Sequence, residues 1–152
     1  MQTLLLAVGK LRPSLRQTCD DYLNRIRRYG PIEEREIREA GRAATPALRR
    51  REETARIAAA LPSGFHPVVL DRGGAAWSSE ELSRQVDRWR GQKQGVAVIV
   101  GGAFGIEVES LETPLTRWSL GPPTLSHELA RLVALEQWYR AWTILRGEPY
   151  HK

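Results

Sequence analysis

Three short stretches of this chain carry residue types that suit the binding of a small molecule. The first is Gly101-Gly102-Ala103-Phe104-Gly105, which directly follows the apolar residues 96–100. Glycine lets the backbone approach a ligand closely, and α/β proteins bind ligands at the carboxyl ends of their strands. The second is Gly121-Pro122-Pro123, in which two prolines fix the backbone. The third, Pro149-Tyr150-His151, adds an aromatic ring and a titratable imidazole, and we predict that the three stretches form the walls of one pocket.

Other common site chemistries lack their sequence signatures. The glycine run has neither the G-x-G-x-x-G spacing of a dinucleotide site nor the Gly-Lys-Ser/Thr of a P-loop. His66, His127, His151 and Cys19 show no metal-ligand spacing, and no G-x-S-x-G motif occurs. We therefore expect no metal site and no serine hydrolase, while a plain turn remains the alternative interpretation of the glycine run.

The composition is that of one globular domain. The chain has 152 residues, of which 41% are hydrophobic and 27% charged, and its net charge is +5. No apolar run reaches the roughly 20 residues that span a bilayer, and a lone cysteine fits a reducing compartment. We predict a single domain over residues 1–152 that works in the cytoplasm without a membrane segment. The positive charge favours an anionic partner.

Strand and helix patterns alternate along the chain. Apolar or alternating stretches predict strands over residues 1–8, 32–37, 67–71, 96–100 and 116–120. Apolar residues at helical spacing predict helices over 13–29, 46–61, 78–91, 107–112 and 126–146. Ser78 and Glu81 form a capping box, and Arg72-Gly73-Gly74 is interpreted as a second glycine turn. This alternation predicts an α/β fold with a mostly parallel sheet flanked by helices.

Two helices carry unusual faces. Arg49-Arg50-Arg51 lies on the first turns of the helix over 46–61, and a solvated face is the expected interpretation. The helix over 126–146 is apolar around most of its girth, with Leu135, Trp138, Tyr139 and Trp142 among its residues. Such a helix packs on more than one neighbour or on another subunit, and we expect these side chains to contribute to a homodimer interface.

Five motifs carry a resemblance to a known family. They are Val-Gly-Lys at 8–10, Val-Ile-Val-Gly-Gly-Ala-Phe-Gly at 98–105, Trp-Ser-Leu at 118–120, the helical segment 129–142 and Arg-Gly-Glu-Pro-Tyr-His-Lys at 146–152. From end to end, the chain resembles the RlmH family, bacterial SPOUT-class methyltransferases that modify N3 of a pseudouridine in 23S ribosomal RNA. One departure is Ser126 before His127, where the family usually has proline.

The resemblance implies a fold, a cofactor and a set of site residues. The C-terminal part would thread into a deep trefoil knot, an exception to the rule that chains avoid knots. S-adenosylmethionine would bind in that knot, and a homodimer would form the active site at its interface. By position, the cofactor pocket would comprise Leu70, Gly101, Leu120, Gly121, Pro122, Pro123, Thr124 and Leu125. The substrate side would comprise His127, Arg131, Tyr150 and His151.

The roles of the last residues and the substrate have alternatives. Tyr150 could stack on a base, and His151 could hydrogen-bond the target base or help to remove its N3 proton. A purely structural docking of the tail would explain the same residues. The substrate would be ribosomal RNA on the ribosome; the alternatives are a SPOUT enzyme for tRNA and a non-catalytic RNA- or ribosome-binding domain of the same fold.

Overall fold

A parallel five-stranded sheet forms the centre of the protein. The computed structural model describes residues 1–42 and 44–152, except for the side chain of His151. Its strands are β1 (Thr3–Val8), β2 (Ile32–Ile37), β3 (Phe65–Ala75), β4 (Gly95–Val100) and β5 (Thr116–Trp118). Its helices are α1 (Pro13–Ile26), α2 (Pro46–Ala60), α3 (Ser79–Gly91) and α4 (His127–Leu145). The strands have the order β2-β1-β4-β3-β5, and every pair is parallel.

The two central strands explain the continuous apolar runs of the sequence. All six residues of β1 are buried, as are five of the six residues of β4. Alternate residues face opposite sides, so Leu5 and Val98 join one core cluster while Leu4 and Ile99 join the other. Helices α1, α3 and α4 cover the first side, and α2 covers the second. The predicted parallel sheet flanked by helices is confirmed.

Helix α4 buries its aromatic residues inside the protomer. Leu135, Trp138, Tyr139 and Trp142 are all buried, because α4 packs between α1 and α3. Trp138 stacks on Trp89 of α3 with ring centroids 6.0 Å apart. These four side chains are therefore core residues, and the expectation that they lie at a subunit interface is wrong.

Two other expectations for local structure differ from the fold. The predicted helix over 107–112 is only one 3-10 turn, Val108–Ser110. Among residues 107–112, Val108 and Leu111 are buried, and they lie three apart, the period of a 3-10 turn. The predicted glycine turn after residue 71 is also wrong, because β3 continues to Ala75 through a bulge and pairs there with Trp118.

The predicted capping box of α3 is confirmed. The Ser78 hydroxyl accepts a hydrogen bond from the Glu81 amide, and the Glu81 carboxylate accepts one from the Ser78 amide. Within the described part of the chain, no helix has the length and apolarity that crossing a membrane requires.

Candidate active site

A cavity of about 680 Å³ opens at the carboxyl ends of β3, β4 and β5. One wall is the glycine turn over residues 101–106, and the opposite wall is the loop over 119–126. The lining includes these residues expected to hold the cofactor: Leu70, Gly101, Leu120, Gly121, Pro123, Thr124 and Leu125. Pro122 is not among the lining residues. The glycine run and the Gly-Pro-Pro loop are thus brought together around one space.

The glycine turn is compact because its residues pack on one another. The Gly105 amide donates to the Gly102 carbonyl at 3.0 Å, and Gly105 has a φ of +76°. A Cβ on Gly101 would lie 2.6 Å from Cγ1 of Ile106 and 3.0 Å from the Gly105 carbonyl carbon. A side chain at position 101 would therefore disturb the turn itself as well as the cavity that it lines.

The opposite loop leads directly into α4. Gly121 has a φ of +107°, a conformation that favours glycine. Its amide donates a hydrogen bond to the Ser119 hydroxyl at 3.2 Å. Ser126 has a φ of −60°, the value that a proline would fix. Its hydroxyl caps α4 by accepting from the Leu129 amide at 3.3 Å. Serine therefore replaces the family's usual proline without a change in the required backbone geometry.

His127 lies on the cavity wall at the first position of α4. Its Nε2 is 3.9 Å from Oε1 of Glu39. The neighbouring Glu128 accepts hydrogen bonds from the Arg12 backbone at 2.6 Å and from the Arg12 guanidinium at 2.8 and 3.1 Å. These bonds lower the pKa of Glu128 below its usual value and tie the start of α4 to the loop after β1. The backbone of His127 is therefore anchored through its neighbour Glu128.

Arg131 lies one turn further along α4 and faces the interior. Its side chain is 2% exposed and donates to Glu34 at 2.5 and 2.8 Å, to Glu36 at 3.0 Å and to the Gly9 carbonyl at 3.2 Å. It does not line the cavity. All of these partners belong to β2 and to the residue after β1, so within the protomer Arg131 joins α4 to the sheet edge.

Tyr150 also lies away from the cavity in this chain. Its hydroxyl is 3.2 Å from that of Tyr22 and donates to Glu136 at 3.1 Å, while its ring meets Tyr139 edge-on. Burial raises the pKa of its hydroxyl. Glu136 is nine residues beyond His127, or about 14 Å along the helix. The tail is therefore docked at the far half of α4, and the side chain of His151 lies outside the described residues.

Several residues at the site were not anticipated from the sequence. Arg50 and Arg72 line the cavity beside Phe104 of the predicted glycine stretch. Beneath the glycine turn, Thr54 of α2 accepts from the Glu107 amide at 3.0 Å, and the buried Glu53 carboxylate accepts from the Ala40 amide at 2.9 Å. Nothing in the spacing of α2 signals the contact of Thr54 with Glu107, because 53 residues separate the two.

The described residues contain no group of three or more His, Cys, Asp or Glu side chains arranged to hold a metal ion. The cavity is lined by the main chain of glycine residues, by apolar side chains and by charged side chains that include Arg50, Asp71 and Arg72. Its volume falls within the roughly 300–1,000 Å³ that is usual for small-molecule sites.

This fold and cavity define a methyltransferase of the SPOUT class: residues 1–151 match the family model described as "Predicted SPOUT methyltransferase". The chain belongs to the family of ribosomal RNA large subunit methyltransferase H. The relative of that name from Rubrobacter xylanophilus is 46% identical over 97% of this chain and 96% of its own length. The relative from Hahella chejuensis is 40% identical over 100% of this chain and 99% of its own.

Solved structures share the fold at low sequence identity. A methylase family protein from Neisseria gonorrhoeae has a TM-score of 0.52 at 11% identity, covering 91% of this chain and 80% of its own. A Legionella pneumophila structure, titled as a methyltransferase with the bound cofactor SAM, has a TM-score of 0.50 at 13% identity, covering 93% and 66%. At such identities the likeness concerns the fold alone.

Proposed function

We propose that this protein transfers a methyl group from S-adenosylmethionine to N3 of a pseudouridine in large-subunit 23S ribosomal RNA, in the cytoplasm. The observation that carries the proposal is the cavity between the glycine turn and the loop over 119–126. The name of the curated relatives supports ribosomal RNA as the substrate, and the Legionella structure supports the cofactor.

The residues around the cavity fit a nucleoside cofactor. Leu70, Leu120 and Leu125 provide apolar surface for a flat base, while Gly101 and Gly121 leave main-chain atoms at the wall. When bound, S-adenosylmethionine supplies an electrophilic methyl group on a sulfonium. The protein's contribution is then to hold the two reactants in line and to exclude water.

We assign the handling of the N3 proton to the cavity wall next to His127. A uracil-type ring must lose this proton before N3 can form a bond to carbon, and a positioned acceptor or a cation that stabilises the ring anion promotes the step. An imidazole can accept a proton at one ring nitrogen and donate one from the other, and Oε1 of Glu39 lies 3.9 Å from Nε2 of His127. His127→Gln should lower kcat by about 10²- to 10⁴-fold and leave the affinity for the cofactor nearly unchanged.

We further propose a homodimer, with the C-terminal part of each chain knotted as the resemblance implies. The docked tail lies about 14 Å along α4 from His127, so a role for His151 in the reaction requires the cavity of a second copy. Leu129 on the first turn of α4 is 43% exposed, and Val133, one turn on, is half-buried. This apolar strip beside the cavity suits a subunit contact. Tyr150 then acts by holding the tail in place.

The test is methyl transfer from labelled S-adenosylmethionine to large ribosomal subunits that lack the modification. We expect label in 3-methylpseudouridine after digestion to nucleosides, and calorimetric binding of the cofactor to the protein alone. Transfer to tRNA but not to ribosomes would favour the tRNA alternative. Ribosome binding with neither cofactor binding nor transfer would favour the non-catalytic domain.

A further inference from the structure

An aromatic side chain stands exposed at the mouth of the cavity. Phe104 occupies the tip of the glycine turn and is 40% exposed. Exposure of the apolar surface of a phenyl ring to water is unfavourable. The bridge between Gly102 and Gly105 closes the turn beneath it, so the ring is carried on a short, braced segment. An aromatic ring at the entrance of a site offers a flat face on which a nucleic-acid base can stack.

A guanidinium lies against this ring. Cζ of Arg49 is 5.0 Å from the centroid of the Phe104 ring. This distance is within the range of a cation–π contact. Nε of Arg49 is buried and has no hydrogen-bond partner among the described residues. The side chain is therefore held by the ring and not by a carboxylate, and its charge remains available to an anion.

Two neighbouring arginines line the cavity itself. Arg50 and Arg72 form no ion pair with any residue that the structure describes. The carboxylate of Asp71, which also lines the cavity, is paired with Arg117 instead. The mouth of the cavity is therefore a positive surface around an exposed ring.

We propose that Phe104 stacks on an unpaired base next to the methylated nucleotide, while Arg49, Arg50 and Arg72 contact the phosphates that flank it. Proteins recognise single-stranded RNA by stacking bases on aromatic or guanidinium planes and by contacting phosphate with arginine. A continuous A-form duplex would not present a base face to the ring. The inference rests on the proposed function, and it places the substrate's unpaired segment across the glycine turn.

The experiment compares Phe104→Ala and Phe104→Trp with Leu48→Ala, an exposed apolar residue of α2 that does not line the cavity. Each variant is assayed for KM and kcat on unmodified large subunits, for cofactor affinity by calorimetry and for oligomeric state by sedimentation. Phe104→Ala should raise KM about 5- to 150-fold, the equivalent of the 1–3 kcal/mol of one stacked base. Phe104→Trp should keep KM close to the wild-type value, and Leu48→Ala should leave KM unchanged.

The charge on the surface is tested separately. Arg50→Gln should weaken binding to large subunits and reduce the slope of log affinity against log salt by about one. The inference is overturned if Phe104→Ala leaves KM unchanged. It is also overturned if that variant chiefly weakens cofactor binding, which would make the ring a cofactor contact, or dissociates the protein, which would make it a subunit contact. A wild-type protein that methylates no large subunit refutes the proposed function itself.

Discussion

Arg131 is a charged side chain almost completely removed from water. The sequence places it one turn after His127, and the resemblance implies a place near the substrate. Its carboxylate partners, Glu34 and Glu36, lie 97 and 95 positions away in β2. No spacing rule connects residues so distant, and only the packing of α4 along the sheet edge brings them together.

We expect Arg131→Ala to destabilise the fold. Removing one partner of a buried ion pair leaves the other charge uncompensated, which costs about 3–5 kcal/mol. The lower value is expected here, because Arg16 also contacts Glu34 at 2.7 Å. Urea unfolding measures the change in the free energy of unfolding. Arg90→Ala, which removes an exposed pair with Asp87, is the matched control and should cost less than about 1 kcal/mol. Equal losses in the two variants would contradict a structural role for Arg131.

Among the secondary-structure elements, the features that short sequence patterns indicate most clearly were also predicted most reliably. The apolar runs of β1 and β4 and the capping box of α3 depend on neighbouring residues, so they could be predicted from the sequence. The residues after Asp71 could not. Gly73 and Gly74 are typical of a turn, yet β3 runs through them because β5 lies alongside, and a strand partner more than 40 residues away is invisible in local sequence. The same limit hid the place of Arg50 at the cavity, because a helix pattern assigns that residue to solvent.

Gly74 should tolerate no side chain. A Cβ there would lie 2.5 Å from the Arg117 carbonyl carbon and 2.6 Å from the Trp118 amide. Gly74→Ala should push β5 away and cost at least the 1–3 kcal/mol of an overpacked site, with weaker cofactor binding because the cavity loop follows β5. Gly91→Ala is the control: nothing lies within 4 Å of its Cβ, and alanine stabilises a helix by up to about 1 kcal/mol. Thermal unfolding and calorimetry should separate the two variants, and a stable, cofactor-binding Gly74→Ala protein would refute the close β3–β5 contact.

At the scale of the whole molecule, one protomer brings together the cavity but not the tail. The glycine turn, the Gly-Pro-Pro loop and His127 surround a single space. Tyr150 lies elsewhere and contacts Tyr22, Tyr139 and Glu136. The expectation that three stretches form one pocket therefore holds for two of them within the chain. We propose a second copy of the chain because its third stretch, Pro149-Tyr150-His151, would then complete the pocket.

A mixed dimer tests that proposal directly. His127→Ala and His151→Ala chains, carrying different tags, are co-expressed and purified through both tags. If the tail of one chain serves the cavity of the other, the mixed dimer has one intact site of two and about half of the wild-type activity, while each parent homodimer is inactive. A mixed dimer as inactive as its parents would show that both residues act within one chain. Recovery of no doubly tagged species would argue against the dimer.

The strand order also has a consequence for the growing chain as it leaves the ribosome. In the described part of the chain, β3 has β4 and β5 as its neighbours in the sheet, and both are synthesised after it. Strand β1 obtains its second neighbour when β4 appears. Until residue 100 has emerged, the apolar faces of β1 and β3 have no complete sheet to join. Such long-range parallel pairing is slow and leaves apolar segments open to aggregation. We therefore expect the apolar strands of the nascent chain to remain exposed until nearly two thirds of its sequence has been translated.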